Sequence, residues 1–127
     1  MAQAKIEHVN LTVTDPKHTA EVLCKIFEWK IRWSGPSQLG GETYHVGGEQ
    51  SYMAVYSKGH CEKAHVTMGT LRGGLNHVGV VVDDLDMVEE RIKAAGYETF
   101  FHGDYEPGRR FYFSDHDEIE YEVVSYQ

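Results

Sequence analysis

Polar and apolar positions alternate from Ile6 to Thr14, with Val9, Leu11 and Val13 on one face and His8, Asn10 and Thr12 on the other. That period of two predicts a strand with one buried face. The spacing then becomes helical. Ala20, Leu23, Ile26 and Phe27 form one stripe behind Asp15, a capping residue, and Pro16, which a first helical turn tolerates. A helix is predicted from Pro16 to about Phe27. Three shorter strands follow, Lys30 to Ser34, Thr43 to Val46 and Gln50 to Ser57, punctuated by Gly35-Pro36, Gly40-Gly41 and Gly47-Gly48.

The plan then repeats. Leu75-Asn76-His77-Val78-Gly79-Val80-Val81-Val82-Asp83-Asp84 parallels Ile6-Glu7-His8-Val9-Asn10-Leu11-Thr12-Val13-Thr14-Asp15, with a histidine third in each. A strand from about Leu75 to Val82 places His77, Gly79 and Val81 on one face. Asp84 caps a helix carrying Leu85, Val88, Ile92 and Ala95 at helical spacing, and Gly96 reads as its stop. Strands at Glu98 to His102, Arg109 to Ser114 and Ile119 to Tyr126 complete a second β-α-β-β-β unit. The expected organisation is one domain, 1–127, with a first module over about 5–57, a linker over about 58–73 and a second module over about 74–127. Neither module is large enough to bury both faces of its sheet. The expectation is therefore helices outside and polar faces around a shared cavity, with His8 and His77 at equivalent points.

Charge narrows the partners. The 127 residues carry a formal net charge of -8 with no basic run, which excludes a nucleic-acid backbone as partner. No apolar stretch is long enough for a membrane span, and Met1-Ala2-Gln3-Ala4-Lys5 leads into a strand without an apolar leader, so a cytoplasmic protein is expected. Cys24 and Cys61 do not make a disulfide framework.

The last strand adds a carboxylate to the two histidines, because Glu120 and Glu122 share a face. Two neutral imidazoles with one carboxylate are a mixed nitrogen and oxygen set suited to iron(II), manganese, nickel or zinc, with positions left for substrate. The plainer alternative is a pair of hydrogen-bonded barrel histidines and a solvated edge glutamate. Glu89 and Glu90 read as a solvated helix face. His60, Cys61 and His65 lack the spacing of a metal site. Trp33, Tyr44, His45, Tyr52 and Tyr56 read either as an aromatic pocket or as packing.

The paired modules, their His-Val openings and the ending Phe113-Ser114-Asp115-His116-Asp117-Glu118-Ile119-Glu120-Tyr121-Glu122-Val123-Val124 resemble the vicinal oxygen chelate superfamily. That superfamily includes glyoxalase I, fosfomycin-resistance thiol transferases, extradiol dioxygenases, methylmalonyl-CoA epimerase and metal-free bleomycin-binding proteins. The resemblance implies an α+β fold of two paired βαβββ modules forming an incomplete, cup-like eight-stranded β-barrel with helices outside. It implies a divalent metal held by His8, His77 and Glu122, and catalytic roles for Glu122 and Tyr112. Asn10, Trp33, Tyr56 and Arg110 are assigned to the substrate, and a homodimer is expected. His116 and Glu118 depart from the family's Pro and Gly in the loop before the last strand. The fourth ligand of glyoxalase I would fall near Ala54, where there is no carboxylate. That sets glyoxalase I aside, since its proton transfer uses carboxylates beside the metal. The implied function is a metal-dependent enzyme acting on a small vicinal-oxygen substrate, either extradiol-dioxygenase-like or a glyoxalase-like lyase or transferase. The competing class is a metal-free, bleomycin-type drug-binding resistance protein using an acidic, aromatic-lined groove.

Overall fold

The computed structural model describes residues 3–67 and 69–127. They fall into two compact units, one ending at Glu62 and one beginning at Lys63. Each contains one helix and one four-stranded mixed sheet, an α+β arrangement repeated.

The first unit runs β1 (His8–Thr12), α1 (Pro16–Phe27), β2 (Lys30–Pro36), a short helical turn (Gln38–Gly40), β3 (Glu42–Gly47) and β4 (Tyr52–Ser57). Its strand order is β1-β4-β3-β2, with β1 parallel to β4 and the remaining pairs antiparallel. The helix begins where Asp15 accepts a hydrogen bond from the His18 backbone N–H at 3.2 Å. Pro16 costs no hydrogen bond there. Ala20, Leu23 and Ile26 are fully buried, as are Val46 and Val55 on the strands that α1 packs against. Apolar burial on this face is what holds helix to sheet.

The second unit repeats the order with β5 (Val78–Val81), α2 (Leu85–Ala94), β6 (Thr99–Tyr105), β7 (Gly108–Ser114) and β8 (Glu120–Ser125). Its sheet is β5-β8-β7-β6, again with one parallel pair, β5 with β8. Asp84 caps α2 by accepting from the Met87 N–H at 3.1 Å. Leu85, Val88 and Ile92 are buried, together with Phe111, Phe113, Tyr121 and Val123 of the sheet. The Phe113 and Tyr121 rings stack at 4.8 Å. Between β7 and β8 the Asp115 carboxylate accepts the backbone N–H groups of Asp117 at 2.9 Å and Ile119 at 3.0 Å, closing the turn.

Two boundaries differ from the sequence reading in ways that bear on the site. β5 starts at Val78, so His77 stands just ahead of the strand rather than within it. β6 continues beyond His102 to Tyr105, because pairing with β7 resumes at Gly103 after an irregularity. Among the described residues no helix is long and apolar enough to cross a membrane.

Candidate functional site

Strand register makes the duplication exact enough to compare positions. In the second unit Glu122 lies opposite Gly79 of β5 and Tyr112 of β7. In the first, Ala54 lies opposite Asn10 of β1 and His45 of β3. Ala54 is therefore the counterpart of Glu122, and His45 that of Tyr112. The carboxylate is confined to the second unit.

His77 and Glu122 are brought together there, with Nε2 3.2 Å from Oε1. The other carboxylate oxygen accepts from Arg110 Nη1 at 2.9 Å, and both of these side chains are only 16% exposed. Tyr112 faces the same carboxylate. Its phenol is pushed above the ordinary value of 10.0, first by burial and then by the Glu122 charge, so it stays protonated and donates. Arg110 also lies over the Tyr105 ring, 5.0 Å from its centre. Its buried Nε–H finds no hydrogen-bond partner among the described residues.

His77 is also held through its other nitrogen. Nδ1 lies 2.7 Å from the Asn76 side-chain oxygen. The imidazole is thus fixed between Asn76 and Glu122, with Nε2 facing the carboxylate. The first unit repeats this arrangement, with His8 Nδ1 2.9 Å from a Glu7 carboxylate oxygen. Tyr52 donates to that same oxygen at 3.2 Å. Those two hydrogen bonds, His8 first, hold the Glu7 carboxyl below the usual carboxylate range.

Around His8 and its Glu7 partner the first unit builds an aromatic stack. Tyr52 lies between His8 at 4.9 Å and His45 at 4.6 Å, and Trp33 reaches His45 at 5.0 Å. Arg32 sits over Tyr52 at 4.5 Å. Burial lowers the His45 imidazole below 6.5, with smaller contributions from His8 and Arg32. Asn10 is exposed on the same sheet face. Tyr56 is buried, and its hydroxyl donates to the Gln38 carbonyl at 2.8 Å.

A cavity of about 530 Å³ opens in the second unit beside His77, lined by Asn76, Phe101, His102, Tyr105, Tyr112 and Glu120. A smaller one of about 210 Å³ lies between α2 and the sheet and includes Glu89, Asp104 and Arg109. His102 borders both. The reading of Glu89 as a solvated helix charge is corrected here. Glu89 is 18% exposed, its Oε2 accepts from Thr99 at 2.5 Å, and it lies 2.6 Å from His102 Nε2. Sequence reasoning missed this because Glu89 and Glu90 are equivalent until β6 is placed against the helix. Phe101 was missed as well, since its role depends on an extra residue in the strand pairing. His60, Cys61 and His65 lie in exposed linker. Among the described residues, no three His, Cys, Asp or Glu side chains are gathered into a metal cage.

This architecture, a βαβββ unit made twice with polar chemistry on the face away from each helix, defines a duplicated α+β fold. The chain belongs to the Glyoxalase/Bleomycin resistance protein/Dioxygenase superfamily, whose profile matches residues 5–123. Among curated proteins nothing matches it. Among solved structures it is similar to a glyoxylase/bleomycin resistance protein/dioxygenase domain from Frankia sp. EAN1pec, with 23% identity over 98% of this chain and 93% of that one and a TM-score of 0.79. It is also similar to the fosfomycin resistance protein FosX from Listeria monocytogenes complexed with Mn(II) and sulfate, at 20% identity, coverage of 98% and 93%, and a TM-score of 0.71. A third is TnmS3, an antibiotic binding protein from Streptomyces sp. CB03234, at 16% identity, 98% coverage of both chains and a TM-score of 0.73. At these identities the likeness is one of fold.

Proposed function

We propose that the protein is a metal-dependent enzyme of this superfamily acting on a small molecule with two adjacent oxygens, with His8, His77 and Glu122 as the ligands of a divalent ion. One observation carries the reading. His77 is held on one side by Asn76 at Nδ1 and stands on the other with Nε2 3.2 Å from a Glu122 carboxylate oxygen. An imidazole nitrogen and a carboxylate oxygen at that separation are joined by a shared proton or a shared cation. The donor set, neutral imidazole and carboxylate, fits iron(II), manganese, nickel or zinc. A side-chain oxygen that orients a ligating imidazole from behind is the usual companion of such a ligand, and both His8 and His77 have one.

When bound, the ion supplies a Lewis acid that polarises the substrate's oxygens. The chain's own groups do the rest. Arg110, paired with Glu122, steers an anionic group of the substrate. Tyr112, held protonated, donates to a phenolate or enolate oxygen. The cavity of about 530 Å³ admits one small molecule beside these groups. Trp33, Asn10 and Tyr56 complete the substrate contacts in the proposal, and a homodimer is its expected form.

A second reading is favoured by the Arg110 pairing, which already gives Glu122 a cationic partner, and by the aromatic lining of the cavity. In it the protein sequesters an antibiotic-like molecule without metal, and TnmS3 is described as an antibiotic binding protein. One experiment separates the two. Wild type and the variants His8→Ala, His77→Ala and Glu122→Ala are reconstituted with iron(II), manganese, nickel and zinc in turn, and bound metal is measured by mass spectrometry. The metal reading expects near-stoichiometric ion in wild type and at least a roughly tenfold weaker affinity in each variant. Equal metal in all four proteins overturns it.

A further inference from the structure

The pairing of β6 with β7 steps from Phe100 opposite Tyr112 to Gly103 opposite Arg110. Two residues, Phe101 and His102, thus oppose one, Phe111, which is a β-bulge. Inside it Phe101 has φ 53°, the left-handed region that a β-unbranched but bulky aromatic side chain seldom adopts. The residue is 74% exposed, an unusual setting for a phenylalanine on strained backbone. The ring stands nearly perpendicular to Phe100, at 82°, and to Tyr112, at 79°, while lining the cavity beside His77. Phe101 and Tyr112 therefore form the two sides of a right-angled aromatic corner.

The bulge is held from behind. Thr99, two residues before Phe101, and His102, one residue after it, both reach the same oxygen of Glu89 on α2. Lys93 approaches that oxygen at 3.7 Å. Burial acts to raise the Glu89 carboxyl, but the bonds from Thr99 and His102 and the Lys93 charge outweigh it and hold the group ionised below its ordinary value. Glu89 lines the smaller cavity and not the larger one. Its effect on the larger cavity passes through the backbone it ties down.

We propose that Phe101 is a specificity-determining residue of the second-unit cavity, selecting a flat unsaturated ring that lies on Tyr112 with its edge toward Phe101, and that Glu89 is the positioning residue that sets Phe101 in place through Thr99 and His102. This deepens the functional proposal by rest on the same cavity as the substrate site, but it does not require metal. Edge-to-face and offset-stacked contacts reward a planar ring over a puckered one of equal size. The strain at Phe101 is the cost of aiming an aromatic ring where a relaxed strand residue would not reach.

The test uses 2-naphthol, which cannot chelate through adjacent oxygens, followed by its own fluorescence, with decahydro-2-naphthol as the saturated competitor. Wild type is expected to bind 2-naphthol and to resist displacement by the saturated analogue. Phe101→Ala and Phe101→Gly weaken binding roughly tenfold, consistent with loss of aromatic contacts. Phe101→Gly does so without a fall in Tm, because glycine accepts the positive φ. Glu89→Gln and Thr99→Val each weaken binding about threefold, and the loss disappears in the Phe101→Ala background, as coupling through one element requires. No binding by wild type, equal binding by Phe101→Gly, or a Glu89→Gln loss that persists without the Phe101 ring overturns the proposal. Metal content measured on the same proteins keeps the outcomes separate, since loss of naphthol binding with metal retained leaves the metal reading standing, and the reverse leaves the corner standing.

Discussion

His77 Nε2 and Glu122 Oε1 face each other across 3.2 Å while Nδ1 meets the Asn76 side-chain oxygen at 2.7 Å on the other side of the ring. The side chain behind the histidine thus aims the nitrogen in front of it. In the first unit Glu7 stands in the same relation to His8. Asn76→Ala and Glu7→Ala are expected to lower manganese affinity about tenfold each, although neither residue is a proposed ligand. Titration of free manganese by electron paramagnetic resonance measures this, and unchanged affinity in both variants shows that the imidazoles are not oriented from behind.

Arg110 brings a positive charge to the carboxylate proposed to hold a cation. Repulsion between guanidinium and ion favours its removal, whereas loss of carboxylate orientation opposes it. Because His77 already touches the other oxygen, repulsion is expected to win. Arg110→Met then binds manganese as tightly as wild type or more tightly, by up to about tenfold. A weaker affinity instead assigns Arg110 to holding Glu122 in place.

Stability of the protein is expected to depend on pH through His45. Burial, aided by His8 and Arg32, depresses its imidazole below 6.5 in the folded state. The unfolded chain therefore takes up the proton first as pH falls, so the His45 contribution is present above 6.5 and is lost as pH drops through the depressed folded value. His45→Phe keeps the ring against Tyr52 and removes the titration. Urea midpoints between about pH 7.5 and pH 5 should fall less in this variant than in wild type, and parallel curves would remove His45 from the account.

Asp115 titrates in the opposite sense. Burial raises its carboxyl above 3.8, only partly opposed by the N–H groups of Ile119 and Asp117. Its contribution is fully present below 3.8 and declines as pH rises through the raised folded value. Asp115→Asn keeps an acceptor for the turn and is expected to lose about 1 kcal/mol, less at pH 7 than at pH 4. Asp115→Ala leaves two backbone donors unanswered and is expected to lose about 3 kcal/mol. Chemical denaturation at the two pH values checks both the sign and the order.

The helices were legible because their causes are local. Asp15 with Pro16, and Asp84 with its helical stripe, fix both starts through one hydrogen bond each. The duplication was legible as repeated letters, but Ala54 was singled out only through the resemblance to glyoxalase I, and its match to Glu122 needed the strand register. Arg110, Tyr112 and Glu122 could be put on one face only once the β7–β8 register was known, because that register depends on the turn made by Asp115. The β6 bulge was not legible at all. An extra residue is defined against its partner strand, and the sequence Thr99-Phe100-Phe101-His102-Gly103 alternates no differently with it or without it. The same applies to Glu89, whose neighbour Glu90 looks identical until β6 supplies Thr99 and His102.

The pairing of Ala54 with Glu122, and of His45 with Tyr112, has a consequence for how such a chain changes over time. Two copies of one ancestral unit have come to carry different chemistry at matching coordinates: an imidazole and phenol stack in one, an arginine-braced carboxylate in the other. A substitution at a shared coordinate is therefore felt by one copy only. Each half can drift toward a new ligand while its twin preserves the old constraint, so a single duplicated scaffold can explore unlike chemistries without ever giving up its folding core.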